Sequence, residues 1–225
     1  AYNFMSSLTP EEKKQGVVCA SAGNHAQGVA FACLNLRIRG VIFMPLVTPK
    51  QKIEKVKKFA GQQAEIRLIG NTFDEANQAA REYQQTTGSI FVHPFDDLRT
   101  IAGQATIAKE IYEQLDQQPD FVLSAIGGGG LVAGMASYFK AVLADTKIIG
   151  VEAKTQSGMY QSLAKGEIVT LPQISTFVDG TAVRTVGLYT FNICQKLLEK
   201  VVLVSEGRVC TDMIELYQNE GIIVE

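Results

Sequence analysis

Four consecutive glycines stand in the segment SAIGGGGLVAGM (residues 124–135), between an apolar run and a stretch with helical spacing. Glycine loses more conformational freedom on folding than any other residue, so four in a row are costly unless the backbone must be free of side chains. A strand that leaves through glycines into a helix presents free N–H groups and the positive end of the helix dipole. The segment therefore predicts an anion site suited to a phosphate, with a closely packed strand–helix turn as the alternative.

The residues that follow the glycines restrict the kind of phosphate. A triphosphate-binding P-loop continues from its last glycine into Lys and then Ser or Thr, whereas Leu131 and Val132 follow here. The spacing also fails the G-x-G-x-x-G pattern of dinucleotide sites, because the third glycine falls on the wrong residue. We therefore expect a compact monophosphate that is held by backbone dipoles alone.

A second loop of small residues, ASAGNHAQGVA (20–30), directly follows the apolar run GVVCA. In open α/β sheets, ligands bind at the carboxyl ends of strands, and small residues let a ligand approach the backbone. The polar groups available at this turn come from three residues: Ser21, Asn24 and His25. A helix cap with a histidine at the helix end is the structural alternative, and a serine-nucleophile site is disfavoured because no G-x-S-x-G elbow is present.

The third segment, FVDGTAVRTVG (177–187), contains an Asp-Gly turn followed by Thr-Ala. Taken alone, this pattern is typical of an ordinary structural turn. It gains significance only from its place after the other two segments.

The elements that position these segments alternate between strand and helix patterns. Short apolar runs predict strands at 16–20, 41–44, 64–70, 89–92, 120–127, 146–153 and 201–205. Helical spacing predicts helices at 25–36, 49–60, 71–85, 100–115, 131–143, 157–165, 187–199 and 208–220. Alternating β and α units predict an α/β fold with a mostly parallel sheet and helices on both faces.

A polar, proline-containing stretch, HPFDD (93–97), marks the predicted break between two lobes. We expect a small lobe over 16–93 and a larger one over 94–225, with residues 1–15 packed as a helix on the larger lobe. The larger lobe would contain the glycine segment and so hold the phosphate, and the small lobe would contain the loop at 20–30.

Composition excludes several other classes of function. The 225 residues carry a formal net charge of −2 and show no basic stripe with interleaved aromatics, which argues against nucleic-acid binding. No apolar stretch approaches the ~18 residues of a membrane span, and no signal-peptide pattern is present. The presence of only two histidines argues against a histidine-based metal site, and four cysteines without C-x-x-C spacing indicate reduced core residues of a cytoplasmic protein.

Together and in this order, ASAGNHAQG, SAIGGGGLVAG and VDGTAV resemble the fold-type II pyridoxal-phosphate enzymes, which have the tryptophan synthase β-like fold. The resemblance covers essentially the whole chain and is strongest to the threonine ammonia-lyase branch, which also contains serine racemase and serine dehydratase. It implies two α/β lobes, each with a mostly parallel open sheet. It also implies the cofactor pyridoxal 5'-phosphate.

The resemblance also assigns roles to individual residues. The cofactor phosphate would lie on the backbone of Gly127, Gly128, Gly129, Gly130 and Leu131, and the remaining cofactor-binding residues would be Asn24 at the phenolic oxygen, Gly180 beside the ring and Glu225 near it. The substrate carboxylate would be held, largely by N–H groups, in the loop of Ser21, Ala22, Gly23 and His25.

Departures from the family pattern concern the catalytic base and the end of the cofactor site. The Schiff-base lysine of the family would lie a few residues before Ala1, so no catalytic residue is expected in this chain. The other lysines considered, none in a matching motif, are Lys50, Lys109, Lys140 and Lys154. The partner of the pyridine nitrogen would lie beyond Glu225. We therefore expect an internal portion of the enzyme.

Two further departures bear on the reaction. Racemases of the family carry a proton-donating serine at the position of Ala22, and alanine cannot transfer a proton, which favours elimination. Some relatives bind a divalent cation through an acid at the position of Glu152 and another six residues later, where this chain has Gly158, so no metal is expected.

The implied reaction is the elimination of water from L-threonine, and from L-serine, with release of 2-oxobutanoate (pyruvate from serine) and ammonia. For threonine this is the first step of isoleucine, and so of branched-chain amino-acid, biosynthesis. A homodimer or homotetramer is expected by analogy with relatives. The alternatives are another fold-type II enzyme (serine racemase or dehydratase, or a β-replacement enzyme similar to cysteine synthase) and a non-catalytic phosphate-binding module.

Overall fold

The computed structural model describes residues 1–224, which form two compact units. The first unit covers Ala1–Gly103 and the second begins at Gln104. Each contains its own parallel β-sheet, and every strand pair recorded among the described residues runs parallel. The predicted α/β class is therefore confirmed.

The first unit is built on a four-stranded sheet with the strand order β3-β2-β1-β4. Its strands are β1 (Val17–Ala20), β2 (Gly40–Met44), β3 (Ala64–Leu68) and β4 (Ile90–Phe91). Its helices are α1 (Tyr2–Ser6), α2 (Pro10–Gln15), α3 (Asn24–Leu36), α4 (Lys50–Ala60) and α5 (Phe73–Thr87). The long helix α6 (Leu98–Gln114) begins in this unit.

All four residues of β1 are buried because both faces of this strand are covered. Val17 and Cys19 share one apolar cluster with Val29 of α3, whereas Val18 belongs to a second cluster with Ala76 of α5. Successive side chains of a strand point to opposite faces, so a continuous apolar run fits a strand between two helix layers. This central position fixes where β1 ends and the small-residue loop begins.

The N-terminal segment packs differently from the prediction that placed residues 1–15 on the second lobe. Phe4, Met5 and Leu8 are buried in the core of the first unit, and α1 packs against α3. These apolar side chains on a short helix can only be buried where a core lies within reach. The assignment of 1–15 and 94–225 to one large domain of the complete protein stays a prediction.

The boundary between the two units also lies later than the predicted break at 93–97. It falls inside α6, between Gly103 and Gln104. Thr100 Oγ1 donates to the carbonyl of His93 at 3.0 Å, and Ile101 is buried, so the first turn of α6 belongs to the first unit.

The second unit contains a three-stranded sheet in the order β5-β6-β7. Its strands are β5 (Phe121–Ala125), β6 (Lys147–Ala153) and β7 (Lys200–Val204). Its helices after α6 are α7 (Gly130–Val142), α8 (Gly158–Lys165), α9 (Leu188–Leu197) and α10 (Glu206–Glu220). Two short 3₁₀ turns occur at Lys154–Gln156 and Asp179–Thr181.

Strand β5 carries apolar residues on both faces, but the described residues cover only one of the two faces. Val122 and Ser124 are buried, whereas Phe121 and Leu123 are 53% and 63% exposed. The sequence predicts a strand buried on both sides from such a run, and the structure of residues 1–224 differs on this point. Helix α7, which follows the glycine segment, packs against this strand.

Candidate functional site

The glycine segment forms the turn between β5 and α7, at the carboxyl edge of the second sheet. The last strand contact before it is Ile126 N–H, which donates to the carbonyl of Val151 at 2.9 Å. Gly129 caps α7 without a side chain, and the helical ladder starts with Ala133 N–H donating to its carbonyl at 2.9 Å. The N–H groups of the first helical turn therefore precede the ladder and point out of the helix end. We call residues 127–130 the glycine turn.

Gly127 and Gly129 are both crowded, because neighbouring atoms lie close to the space that a side chain would need. A Cβ on Gly127 would lie 3.1 Å from Thr181 Cα, a backbone atom. A Cβ on Gly129 would lie 2.9 Å from both Met159 Cε and Thr190 Cβ, and its φ of +92° is in the left-handed region. The turn is therefore made of backbone that packs directly on its supports.

A buried threonine anchors the middle of the glycine turn. Thr190 of α9 is fully buried, and its Oγ1 donates to the carbonyl of Gly128 at 2.7 Å. Gly187 N–H approaches the same carbonyl at 3.4 Å. With the carbonyl of Gly128 directed to α9, this part of the turn is fixed by hydrogen bonds as well as by packing.

The segment containing Gly180 lies beside the glycine turn, as the contact between Thr181 and Gly127 shows. Gly180 itself is exposed, and a Cβ on it would meet no atom within 4 Å. The structure thus brings together two of the predicted cofactor segments, residues 127–131 and Gly180, within the second unit. Glu225, the last predicted cofactor residue, lies outside the described residues.

The small-residue loop lies in the first unit, between β1 and α3. Ser21 N–H donates to the carbonyl of Phe43 at 3.0 Å, and Gly23 N–H donates to Ser21 Oγ at 3.2 Å. The first bond of α3 runs from Gln27 N–H to the carbonyl of Gly23 at 3.4 Å, so the N–H groups of Asn24 and His25 precede the ladder. The loop therefore offers helix-terminal N–H groups for a carboxylate.

The small-residue loop is more open than the crowded glycine turn. Asn24 is exposed and Ala22 is half-buried. A Cβ on Gly23 would meet no atom within 4 Å, and the φ of Gly23 is −120°, which other residues adopt readily. Neither packing nor backbone conformation demands glycine at this position, which leaves room for a ligand to approach the backbone.

His25 is a neutral hydrogen-bond donor in this structure. Its Nε2 lies 2.9 Å from the carbonyl of Val92, a geometry that requires a hydrogen on Nε2. Burial lowers the pKa of His25 to about 3, although the hydrogen bond to Val92 opposes this shift. The side chain therefore connects the loop to the end of β4 and is not a protonated carboxylate ligand at neutral pH.

Glu152, considered as a possible cation ligand, caps a helix instead. Its carboxylate is buried and accepts N–H groups from Met159 at 2.9 Å and Tyr160 at 2.8 Å, at the start of α8. Burial raises the pKa of Glu152 to about 7, and the two N–H donors act in the opposite direction. Among the described residues, no group of three or more His, Cys, Asp or Glu side chains is arranged to hold a metal ion.

Sequence reasoning missed the polar residues that hold the glycine turn in place. Thr190 and Thr181 contact the turn, and Gln156 contacts Thr181. They lie between 29 and 63 residues from Gly127 along the chain. Thr181 falls within the segment 177–187, but no motif or periodicity marks Gln156 or Thr190 in the sequence. No signal available from the sequence alone would have found these two residues.

A family model described as "Pyridoxal-phosphate dependent enzyme" matches residues 1–225. The chain belongs to this family. The resemblance inferred from the three motifs is thereby confirmed, and the cofactor of the family is pyridoxal 5'-phosphate.

Among curated relatives, the chain is 46% identical over 225 residues to "L-threonine dehydratase biosynthetic IlvA" of Halalkalibacterium halodurans, covering 100% of this chain and 54% of the relative. It is 44% identical over 225 residues to the protein of the same name from Bacillus subtilis, covering 100% and 53%. The chain thus spans about half the length of the curated relatives it matches.

Two solved structures are also similar. The processed form of threonine deaminase isoform 2 from Solanum lycopersicum matches with a TM-score of 0.94 and 44% identity, over 100% of this chain and 64% of that chain. Maize serine racemase matches with a TM-score of 0.93 and 31% identity, over 100% and 67%. The backbone arrangement is therefore shared with both kinds of enzyme.

The residues of the second unit fit the phosphate of this cofactor. The glycine turn provides N–H groups at the start of a 13-residue helix, and Thr181, Met159 and Thr190 crowd the positions that side chains on Gly127 and Gly129 would take. Backbone dipoles at a helix N-terminus form an anion site without any cationic side chain. Gly180 leaves open space beside the turn.

We expect Gly129→Ala to destabilise the protein more than Gly166→Ala does. Both glycines have positive φ, but a Cβ on Gly166 meets no atom within 4 Å, whereas one on Gly129 meets Met159 and Thr190 at 2.9 Å. Crowding should add about 2 kcal/mol to the loss in free energy of unfolding at Gly129. Urea denaturation of the two variants measures this difference, and equal losses would show that the turn is not tightly packed.

We expect the His25→Gln variant to lose less stability in acid than the wild type does. The pKa of His25 is about 3 in the folded protein against an ordinary value of 6.5, so between these values the unfolded chain binds a proton that the folded protein does not. The free energy of unfolding therefore falls as the pH falls through this range. Glutamine can still donate to the carbonyl of Val92 but does not titrate.

Between pH 6.5 and pH 5, the free energy of unfolding of the variant should therefore fall by about 1.5 kcal/mol less than that of the wild type. Denaturant titrations at several pH values measure this difference. Asn35→Gln, an exposed change on the same helix, is the control and should keep the wild-type pH dependence. Identical curves for His25→Gln and the wild type would contradict a neutral, buried His25.

Proposed function

We propose that the protein containing this chain eliminates water from L-threonine, and from L-serine, in a pyridoxal-phosphate-dependent lyase reaction. The products are 2-oxobutanoate from threonine, pyruvate from serine, and ammonia. The observation that carries the proposal is the crowded glycine turn, in a chain similar over its whole length to proteins named L-threonine dehydratase. For threonine, this would be the first step of isoleucine biosynthesis.

In the proposed site, the glycine turn and Leu131 would bind the cofactor phosphate through N–H groups at the start of α7. Gly180 would leave space beside the cofactor ring. By the family resemblance, Asn24 would donate a hydrogen bond to the phenolic oxygen. When bound, pyridoxal phosphate acts as an electron sink for negative charge that develops at the substrate α-carbon. By the family resemblance, the lysine that moves the α-proton lies before Ala1, so the complete protein is needed for turnover.

The loop of Ser21, Ala22, Gly23 and His25 is proposed to bind the substrate carboxylate. Helix-terminal N–H groups favour a negative charge, and Gly23 leaves the backbone accessible. His25 holds the loop to β4 through the carbonyl of Val92 and, being neutral, leaves carboxylate recognition to the backbone. Ala22 has no proton to transfer, so a proton removed from the α-carbon is not replaced from this side.

Racemisation is the second candidate activity, because maize serine racemase shares the fold at 31% identity. Ala22 argues against it. A β-replacement reaction like that of cysteine synthase and simple phosphate binding without catalysis are the remaining alternatives.

Among residues 1–224, no helix is long and apolar enough to cross a membrane. We propose a cytoplasmic enzyme that assembles as a homodimer or homotetramer.

The first experiment measures products of the full-length protein with L-threonine and L-serine. We expect bound cofactor, seen as a visible absorbance band, and stoichiometric 2-oxoacid and ammonia. D-serine on a chiral column would indicate racemisation, and consumption of sulfide would indicate β-replacement. Bound cofactor without 2-oxoacid from threonine would overturn the proposed reaction, and no cofactor band would overturn the proposed cofactor site.

We expect Ala22→Ser to shift the reaction toward racemisation of serine. A hydroxyl at this position supplies a proton donor, and a positioned acid or base typically contributes about a hundredfold or more to a rate. The ratio of D-serine to pyruvate should therefore rise by about tenfold or more in the full-length variant. Ala22→Gly, which changes the side chain without adding a donor, is the control. An unchanged ratio in Ala22→Ser would show that this position does not decide between the two reactions.

A further inference from the structure

Gln156 is a buried side chain whose amide is fully used in hydrogen bonds to one segment. It is 2% exposed and lies at the end of the 3₁₀ turn after β6. Its Nε2 donates to the carbonyls of Ser175 at 2.8 Å and Val178 at 2.9 Å. Its Oε1 accepts from Thr181 Oγ1 at 2.7 Å. One side chain thus holds both ends of the segment 175–181.

These contacts allow a single orientation of the amide. Two carbonyl oxygens need the two hydrogens of Nε2, and the Thr181 hydroxyl then donates to Oε1. A buried amide is costly unless each of its groups is paired, so the segment cannot move away without leaving Gln156 unsatisfied. The network therefore favours one position of the segment 175–181.

That position reaches the glycine turn through Thr181. The space that a Cβ would need on Gly127 is taken by Thr181 Cα at 3.1 Å and by Thr181 O at 3.2 Å. Two backbones in direct contact move together, because close-packed interiors transmit small displacements. Gln156, Thr181 and Gly127 form a continuous chain of contacts inside the second unit.

We propose that Gln156 is a positioning residue that holds Thr181 against Gly127 and so keeps the glycine turn in its phosphate-binding conformation. It touches the turn only through Thr181. This inference rests on the proposed function, since it takes the ligand of the turn to be the cofactor phosphate. The same side chain also places Gly180, which lies between Val178 and Thr181 in the clamped segment.

The test uses two variants of the full-length protein and one matched control. Gln156→Met keeps the length of the side chain and removes all three hydrogen bonds. Thr181→Val removes only the hydroxyl that donates to Gln156. The control, Thr146→Val, removes a fully buried hydroxyl that donates to the carbonyl of Pro119 at 2.8 Å, at the opposite end of the same sheet.

The first measurement is hydrogen–deuterium exchange without added cofactor. Amides of residues 127–131 and 178–182 should exchange about tenfold faster in Gln156→Met than in the wild type, and somewhat less so in Thr181→Val. The same amides in Thr146→Val should keep their wild-type exchange rates, even if the melting temperature of this control falls as much as that of Gln156→Met. Should Gln156→Met fail to fold, Thr181→Val carries the test.

The second measurement is the dissociation constant for pyridoxal phosphate. We expect an increase of about tenfold in Gln156→Met, as a lost set of buried hydrogen bonds predicts. The control should stay within about twofold of the wild type. A purely structural role would lower the melting temperature of all three variants and leave the cofactor affinity unchanged.

The two measurements separate failure of this inference from failure of the proposed function. If the wild type does not bind pyridoxal phosphate, the proposed cofactor site is wrong, while the exchange rates still decide whether Gln156 positions the turn. If exchange and affinity in both Gln156→Met and Thr181→Val match those of Thr146→Val, the positioning role is overturned.

Discussion

The contact between the backbones of Gly127 and Thr181 is the constraint on which the second unit is built. A Cβ at residue 127 would lie 3.1 Å from Thr181 Cα, so the turn and the segment around Gly180 pack closely as bare backbone. This closeness favours glycine, and a turn without side chains presents its backbone N–H groups to an anion. Close packing and the proposed phosphate site therefore favour the same sequence in the turn.

Buried polar groups fix the conformation of the glycine turn, which the glycines by themselves would leave flexible. Thr190 holds the carbonyl of Gly128, and Gln156 holds Thr181 from the other side. Glu152 fixes the start of α8 and thereby Met159, whose Cε fills the space that a side chain on Gly129 would need. Each of these groups is hydrogen-bonded, as burial demands. These three hydrogen-bonded side chains thus hold the glycine turn and its surroundings in one conformation.

How far the sequence predicts the structure depends on the range of the interaction. The alternation of strands and helices, the glycine turn and the loop at 20–25 follow from local patterns, and the structure contains them. Gln156 could not be predicted, because its partners are backbone carbonyls 19 and 22 residues away, which leave no pattern in the sequence. The packing of α1 in the core of the first unit could not be predicted for a similar reason, since an apolar helix face does not say which core will bury it.

The glycines of the proposed site differ in their surroundings, and this difference agrees with the ligands proposed for them. Gly127 and Gly129 are crowded, so the turn is packed in one conformation behind its N–H groups. Gly23 and Gly180 have open space where a side chain would be, so a ligand can lie against the backbone there. A cofactor that remains bound through many turnovers favours a preorganised site. A substrate that enters and leaves, as proposed for the loop at 21–25, favours the more open arrangement around Gly23.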